Sequence, residues 1–213
     1  MSILRPQKIL FNNLRKLENL SKEINICKEI DNVSIENYRD DNVDFTDVRI
    51  EKAIVNNVEI INGKLENNTF IDIEFNNCNF SNTSFENSSF IRCEFNNCKL
   101  TGCNFVESRI YNVSFIETNI SYGNFSMASV ENILFNNSNL RNGSFQENKL
   151  KNIIFKKSDL TQVQFFKTSL RGIDFSDSII EGMAVSIEDI KGAIINQFQA
   201  VDLLYLLGVK VKE

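Results

Sequence analysis

Histidine and tryptophan are absent from the 213 residues, and proline occurs once, at Pro6. Without histidine the chain lacks the one side chain that ordinarily titrates near neutral pH, and also the commonest metal ligand. Ser/His/Asp and Cys/His catalysis are thereby excluded. No apolar run approaches the length of a membrane span, and Met1–Leu10 lacks the apolar core of a signal peptide. The five cysteines are an odd number without secretory context, so a reduced cytoplasm is the expected compartment. A net charge of −5 argues against a nucleic-acid binder held by phosphate contacts.

What the chain does contain is 18 phenylalanines, a large excess of asparagine, and a repeat. Phe75-Asn76-Asn77-Cys78 returns as Phe95-Asn96-Asn97-Cys98, twenty residues later. From Phe45 to Ile195 an apolar residue recurs at every fifth position without a slip. Two residues before it stands a second, small or apolar one, such as Ala53, Val58, Cys78, Cys93 or Ile133. The remaining positions are mostly Asn, Ser, Asp, Glu or Lys.

A period of five fits neither a helix nor a long alternating strand. Two inward residues two apart mark a short extended segment, and the polar remainder suits a turn. Each five-residue unit is therefore one side of a coil, and the recurrence at twenty means that four sides close it. The central residues support this. Phe75, Phe85, Phe95, Phe105, Phe115, Phe125, Phe135, Phe145, Phe155, Phe165 and Phe175 alternate beyond Phe95 with Leu, Ile or Val. On a square coil this gives two phenylalanine ladders on opposite sides, filling the tube and leaving no ligand cavity. Phe70, Phe80 and Phe90 break the alternation, so those coils should be fuller.

The ends differ. Leu10, Leu14, Leu17, Leu20 and Ile24 recur at helical spacing and predict an amphipathic helix over Phe11–Ile24, followed by irregular coils through Ile30, Val33 and Ile35. Residues 1–40 are read as an N-terminal cap, 41–195 as the repeat, and 196–213 as a C-terminal segment. In the last, Ala200 to Leu207 predict a short helix stopped by Gly208, with a short strand at Val209-Lys210-Val211. Too many of its residues are apolar for one buried face. Phe198, Ala200, Val201, Leu203, Leu204 and Leu207 are therefore the expected contacts with a second copy.

Cys93, Cys98 and Cys103 have a C-x4-C-x4-C spacing, but steps of five send them to three different sides, so they read as packing residues. Cys78 and Cys98 stack with parallel side chains, which suits a disulfide poorly. No metal, cofactor or catalytic residue is expected. Paired asparagines at 56–57, 76–77, 96–97 and 136–137 fall in turns on one side, where ladders of them would satisfy backbone and one another. Asn68 and Asn148 occupy inward positions and require backbone partners.

Surface charge sorts by side. The Phe105 side carries Asp44, Asp47, Glu66, Glu86, Glu107 and Glu147 against Lys64 and Lys167, and the opposite side carries Glu74, Glu94, Glu117, Asp174 and Asp177 against Lys156 and Lys157. The side through Ile50 and Leu150 is basic, with Arg49, Lys52, Arg92, Arg109, Lys149, Lys151, Arg171 and Lys191.

The repeat, small–polar–Leu/Phe–polar–polar over roughly Asp41 to Ile195, resembles the pentapeptide-repeat family. That resemblance implies an all-β solenoid, a right-handed quadrilateral β-helix with twenty residues per coil and helical caps at both ends. The tail resembles the terminal segment of the Qnr and MfpA quinolone-resistance proteins at Gly192, Gln199-Ala200 and Leu207-Gly208. This implies a cytoplasmic homodimer joined by the tail. It also implies a non-catalytic DNA mimic whose acidic sides bind DNA gyrase or topoisomerase IV and protect it from quinolones. Loops projecting from the plasmid-borne Qnr rods have no counterpart in an unbroken five-residue count, so the chain is nearer the loopless MfpA type. Seven to eight coils span ~35 Å, one duplex turn bearing ~20 phosphates, far more charge than −5. The alternative is a structural scaffold with another protein partner. Neither reading calls for nucleic acid or membrane.

Overall fold

The computed structural model describes residues 14–210. It is a parallel β-solenoid of about 7 turns. One sheet of eight parallel strands runs along the rod from residue 15 to residue 156: β1 (Arg15–Leu17), β2 (Glu29–Glu36), β4 (Arg49–Asn56), β6 (Thr69–Asn76), β7 (Ser89–Asn96), β8 (Arg109–Ile116), β9 (Ser129–Asn136) and β10 (Lys149–Lys156). A smaller ladder pairs β3 (Arg39–Asp41) with β5 (Glu59–Ile61). From β2 onward each strand pairs with the next at a register of twenty, as in Phe75↔Phe95 and Phe115↔Phe135. Parallel strands normally need a long crossover; here the other sides of the coil are the crossover.

The four sides are named by one coil: Phe105, Ile110, Phe115 and Ile120. The eight-residue strands cover the Ile110 and Phe115 sides together, bending at a corner without losing their ladder. The other two sides are held by isolated bridges such as Asn104↔Asn124 and Asn119↔Asn139. Their corners close as tight turns, with the Cys103 and Ser108 amides donating to the Leu100 and Phe105 carbonyls at 3.1 and 3.2 Å.

The corners explain the asparagine. Among the described residues, 27 non-glycine positions have positive φ, nearly all spaced by five, and 15 of them are Asn. Asn tolerates this left-handed region better than other side chains because its short amide can bond locally. The amides also bond between coils: Asn97 Nδ2 donates to Asn77 Oδ1 at 2.8 Å, Asn87 to Asn67 at 2.7 Å and Asn152 to Asn132 at 3.0 Å.

Inside, the two phenylalanine ladders are continuous. Rings stack at centroid separations from 4.5 Å (Phe75–Phe95) to 5.4 Å (Phe155–Phe175) on one side, and from 4.7 Å (Phe105–Phe125) to 5.4 Å (Phe145–Phe165) on the other. The ladders meet edge to face, as at Phe135–Phe145 with an interplanar angle of 90°. Both arrangements suit the ring quadrupole. Phe70–Phe90 forms a third stack at 4.8 Å, so the coils that break the alternation are filled with aromatic rings.

The tube is not completely filled. A cavity of about 40 Å³ lies towards the N-terminal end, lined by Leu20, Ile50, Val55, Ile60 and Leu65 among others. The filling expected of the phenylalanine ladders is thus incomplete where the ladders do not reach. The coil from Ile50 to Leu65 has no phenylalanine at its four central positions, so its aliphatic side chains fall short of the tube's centre. The space is about one water molecule in size and apolar, unsuited to a ligand.

The N-terminal elements depart from expectation. The helix is α1 (Leu20–Ile26), shorter than Phe11–Ile24; Arg15–Leu17 is strand, and residues 11–13 lie outside the described ones. β1 pairs with Val33–Ile35 and covers the open edge of β2, which a helix could not do. Leu20 and Ile24, one turn apart, are the buried face of α1, and the Asn19 side chain accepts from the Lys22 amide to cap it. Ile30, Val33 and Ile35 are regular strand within the main ladder, not irregular coil.

At the other end α2 (Ile187–Ile190) interrupts the corners, and α3 (Gln199–Leu203) runs into a 3-10 turn (Leu204–Leu207) ended by Gly208 at φ 69°. Residues 209–210 form no strand, and Val211 lies outside the described residues. Gln199 is buried, and its Nε2 donates to the carbonyls of Phe175 (2.8 Å) and Ser178 (2.7 Å), satisfying the last coil where no further coil follows.

Filling the cavity should stabilise the rod. Leu65→Phe places a ring between Phe45 and Phe85 and should add about 1 kcal/mol, from ~24 cal/mol per Å³ of void removed. Urea unfolding of the variant checks this; a lower midpoint would mean that the site is already full.

Candidate protein-binding faces

The second inward row mixes small apolar residues with Ser, Thr, Cys and Asn, and most of the hydroxyls and thiols share one bond. Its Ser, Thr and Cys side chains donate to the carbonyl twenty-three residues earlier: Thr118 to Phe95 (3.1 Å), Ser138 to Phe115 (3.1 Å) and Thr168 to Phe145 (2.6 Å). Cys103 does the same to Phe80 at 2.8 Å, and Cys93 and Cys98 at longer distances. These cysteines are thiol equivalents of Ser and Thr. All five are free, and only Cys27 is exposed. Burial pushes the Cys93 thiol up to about 12 and raises Cys103; contact with Cys78 and burial raise Cys98. Asn68 and Asn148 find the required backbone partners: Asn68 bonds the Val48 amide and Phe45 carbonyl, and Asn148 the carbonyls of Phe125 and Ala128. The Asn148 Oδ1 is buried without a partner.

No three His, Cys, Asp or Glu among the described residues are grouped to hold a metal ion. The interior contributes nothing to recognition, so what the rod offers a partner is its coating.

On the Phe105 side Asp44, Asp47, Glu86, Glu107 and Glu147 are exposed and Glu66 is half-buried. Lys64 lies 3.4 Å from Glu66, and Lys167 lies 2.7 Å from Glu147. Asp44 accepts from Thr46, and Glu86 from Asn104. On the Phe115 side Glu74 and Glu94 face each other in register across β6 and β7, while Glu117 sits at a corner with φ 52°. Like charges directly opposite across paired strands are destabilising. Burial first, and then Glu94, hold the Glu74 carboxyl above the usual glutamate range. Ile154 and Ile194 interrupt the acidic row further along, both exposed. The Ile110 side neutralises itself to a large extent. Arg92 makes a double hydrogen bond to the buried Asp72 (2.6 and 2.7 Å), and Lys151 pairs with Glu131 and Arg49 with Glu51.

The C-terminal end is apolar and open. Phe198 is 76 % exposed and Leu207 67 %; Val201, Tyr205 and Val209 are also exposed. Ala200 is exposed with them, whereas Leu203 and Leu204 are half-buried, Leu203 against the core. Sequence patterning does not reveal the capping role of Gln199. It also passes over two exposed apolar corners, Tyr122 and Met127, whose signal is their place in a row otherwise made of Asn, Gly and charged or amide residues.

The family model described as pentapeptide repeat region matches residues 88–165. Residues 88–165 therefore carry a pentapeptide repeat. Among solved structures, the rod is similar to HetL, a pentapeptide repeat protein involved in heterocyst differentiation regulation, from the cyanobacterium Nostoc sp. strain PCC 7120. That match has 10 % identity, covers 86 % of this chain and 98 % of HetL, and has a TM-score of 0.50. It is also similar to full-length QnrB1, a plasmid-mediated fluoroquinolone resistance protein, at 22 % identity over 85 % and 95 % of the two chains, with a TM-score of 0.45. Rfr23 of the cyanobacterium Cyanothece 51142 matches at 11 % identity over 83 % and 97 %, with a TM-score of 0.28. Curated proteins show no match. At such identities these likenesses concern the fold alone. Among the described residues, no helix is long and apolar enough to cross a membrane.

Two outcomes follow. Ellman's reagent should titrate one thiol in the native protein, Cys27, and all five once it is unfolded; rapid reaction of a second native thiol would contradict the buried row. Glu74→Gln should raise the melting temperature at pH 7 and leave it unchanged near pH 3.5. A carboxyl raised in the folded state loses stability as pH climbs from its unfolded value through its folded one. Equal shifts at both pH values would remove the electrostatic cause.

Proposed function

We propose that this chain is a non-catalytic, cytoplasmic pentapeptide-repeat rod. It works as a dimer joined at the apolar C-terminal end and binds a basic, DNA-handling protein surface along its acidic sides, with DNA gyrase or topoisomerase IV as the partner. The observation that carries the reading is the arrangement of acids on the Phe105 side: six carboxylates against Lys64 and Lys167, displayed on a straight ladder of fixed spacing. The Glu74–Glu94 stack supports it, because a like-charge contact that weakens the fold is accounted for by a cationic partner. The exposed patch formed by Phe198, Val201, Tyr205, Leu207 and Val209 supports the dimer. Large aromatic and aliphatic side chains left clustered in water mark an association surface.

A scaffold serving another protein is the second reading. It is favoured by the self-neutralised Ile110 side and by the lysines that already occupy Glu66 and Glu147. These leave far less free charge than a duplex turn carries.

A gyrase supercoiling assay with and without ciprofloxacin separates the two. The rod should inhibit supercoiling or protect the enzyme, and Glu86→Lys with Glu107→Lys should abolish the effect at an unchanged melting temperature. No effect of the native rod up to micromolar protein would leave the scaffold reading. Sedimentation should give a dimer, and Leu207→Asp a monomer.

A further inference from the structure

From Asn32 to Gly172 every corner of the rod places a residue in the left-handed region, and nearly all of those residues are polar or glycine. Of the 27 non-glycine residues at positive φ, 25 are Asn, Asp, Glu, Gln, Lys or Arg. The other two are Tyr122 and Met127, both at φ 60°. A bulky side chain in this region is an outlier, costlier than Asn. Burial does not compensate: Tyr122 is 63 % exposed and Met127 50 %. The same columns accept better residues elsewhere, with Asn62, Asn82 and Asn142 above or below Tyr122 and Asn67 and Asn87 below Met127.

The two are also neighbours. They occupy the corners on either side of the unit centred on Phe125, and so bracket the Phe105 side at one level. Between and beside them the face is flat, and its polar groups bond one another: Ser126 Oγ lies 2.9 Å from Ser144 Oγ, and Gln146 donates to Gln164 at 2.7 Å. In the Met127 column, Glu107 is one coil below and Glu147 one coil above. Two exposed apolar anchors rimmed by carboxylates have the composition of an interface centre, where Tyr and Met are enriched and charge is pushed to the rim. The rim's sign specifies the chemistry of the partner.

We infer that Tyr122 and Met127 are the paired anchors of the partner-binding face, seated on a basic protein surface whose Lys or Arg residues meet Glu107 and displace Lys167 from Glu147. This rests on the reading of the Phe105 side as the face that binds the topoisomerase. The strain is shared with ten charged or Gln corners; what sets Tyr122 and Met127 apart is exposed apolar surface, the mark of an association site.

The test measures stability and affinity on the same full-length proteins, with purified DNA gyrase holoenzyme as the probe. Tyr122→Asn with Met127→Asn should raise the melting temperature by ~2 °C or more and weaken binding by about tenfold or more. Lys52→Asn, at a left-handed corner of the Ile110 side, should leave affinity unchanged. Unchanged affinity in the double variant overturns the proposal, as does an equal loss in Lys52→Asn. If the native rod does not bind gyrase at all, the topoisomerase reading falls, and stability decides the anchors. A rise per residue larger than that of the Lys52→Asn control keeps them as functional residues, and an equal, absent or negative one assigns them to the fold.

Discussion

A left-handed residue at every fifth position turns the chain through a corner while its amide still reaches the carbonyl of the coil that follows. The rest of the rod depends on that constraint. Because the corner falls at the same phase in every unit, four units close one coil and each residue lies above the one twenty before it, as the strand register shows from Glu29↔Arg49 to Lys149↔Ser129. Identical environments then stack. The result is ladders: phenylalanine inside, Ser, Thr and Cys beneath the carbonyls, and asparagine amides at the corners.

Stacking concentrates both stability and vulnerability. Each coil touches only its neighbours, so stability is a sum of nearest-neighbour terms and the ends are where it is lost. The N-terminal end covers its open edge with β1 and α1. The C-terminal end uses Gln199, whose amide reaches two carbonyls where the next coil's Ser or Thr would stand. The local void beneath Leu65 has the same logic in reverse: one coil without a ring at its centre leaves a gap because its neighbours cannot lean across.

The same regularity constrains function. A filled, narrow tube has no cleft in which polar groups could converge, so the chemistry of recognition is confined to outward positions. There the rod is not uniform. One side is acidic, one largely self-paired, and one end apolar. Residues that break the local rule without helping the fold, such as the stacked Glu74 and Glu94 or the apolar corners Tyr122 and Met127, are the ones on which the binding proposals rest.

The period, the four sides, the two phenylalanine ladders and the packing role of the cysteines could be read from the chain alone, because in a solenoid position modulo twenty is position in space. The acidic rows were legible for the same reason. The tertiary structure decided what that arithmetic does not contain. Which carboxylates are already neutralised depends on the reach of Lys64, Lys167 and Arg92, since long side chains choose partners in three dimensions. Where the ends deviate also depends on it: Arg15–Leu17 became strand because an open sheet edge outweighs a helical pattern, and Leu203 turned inward while Phe198 and Leu207 did not. The exposure of Tyr122 and Met127 at left-handed corners likewise needed coordinates, because burial and φ are properties of the folded coil and not of residue type.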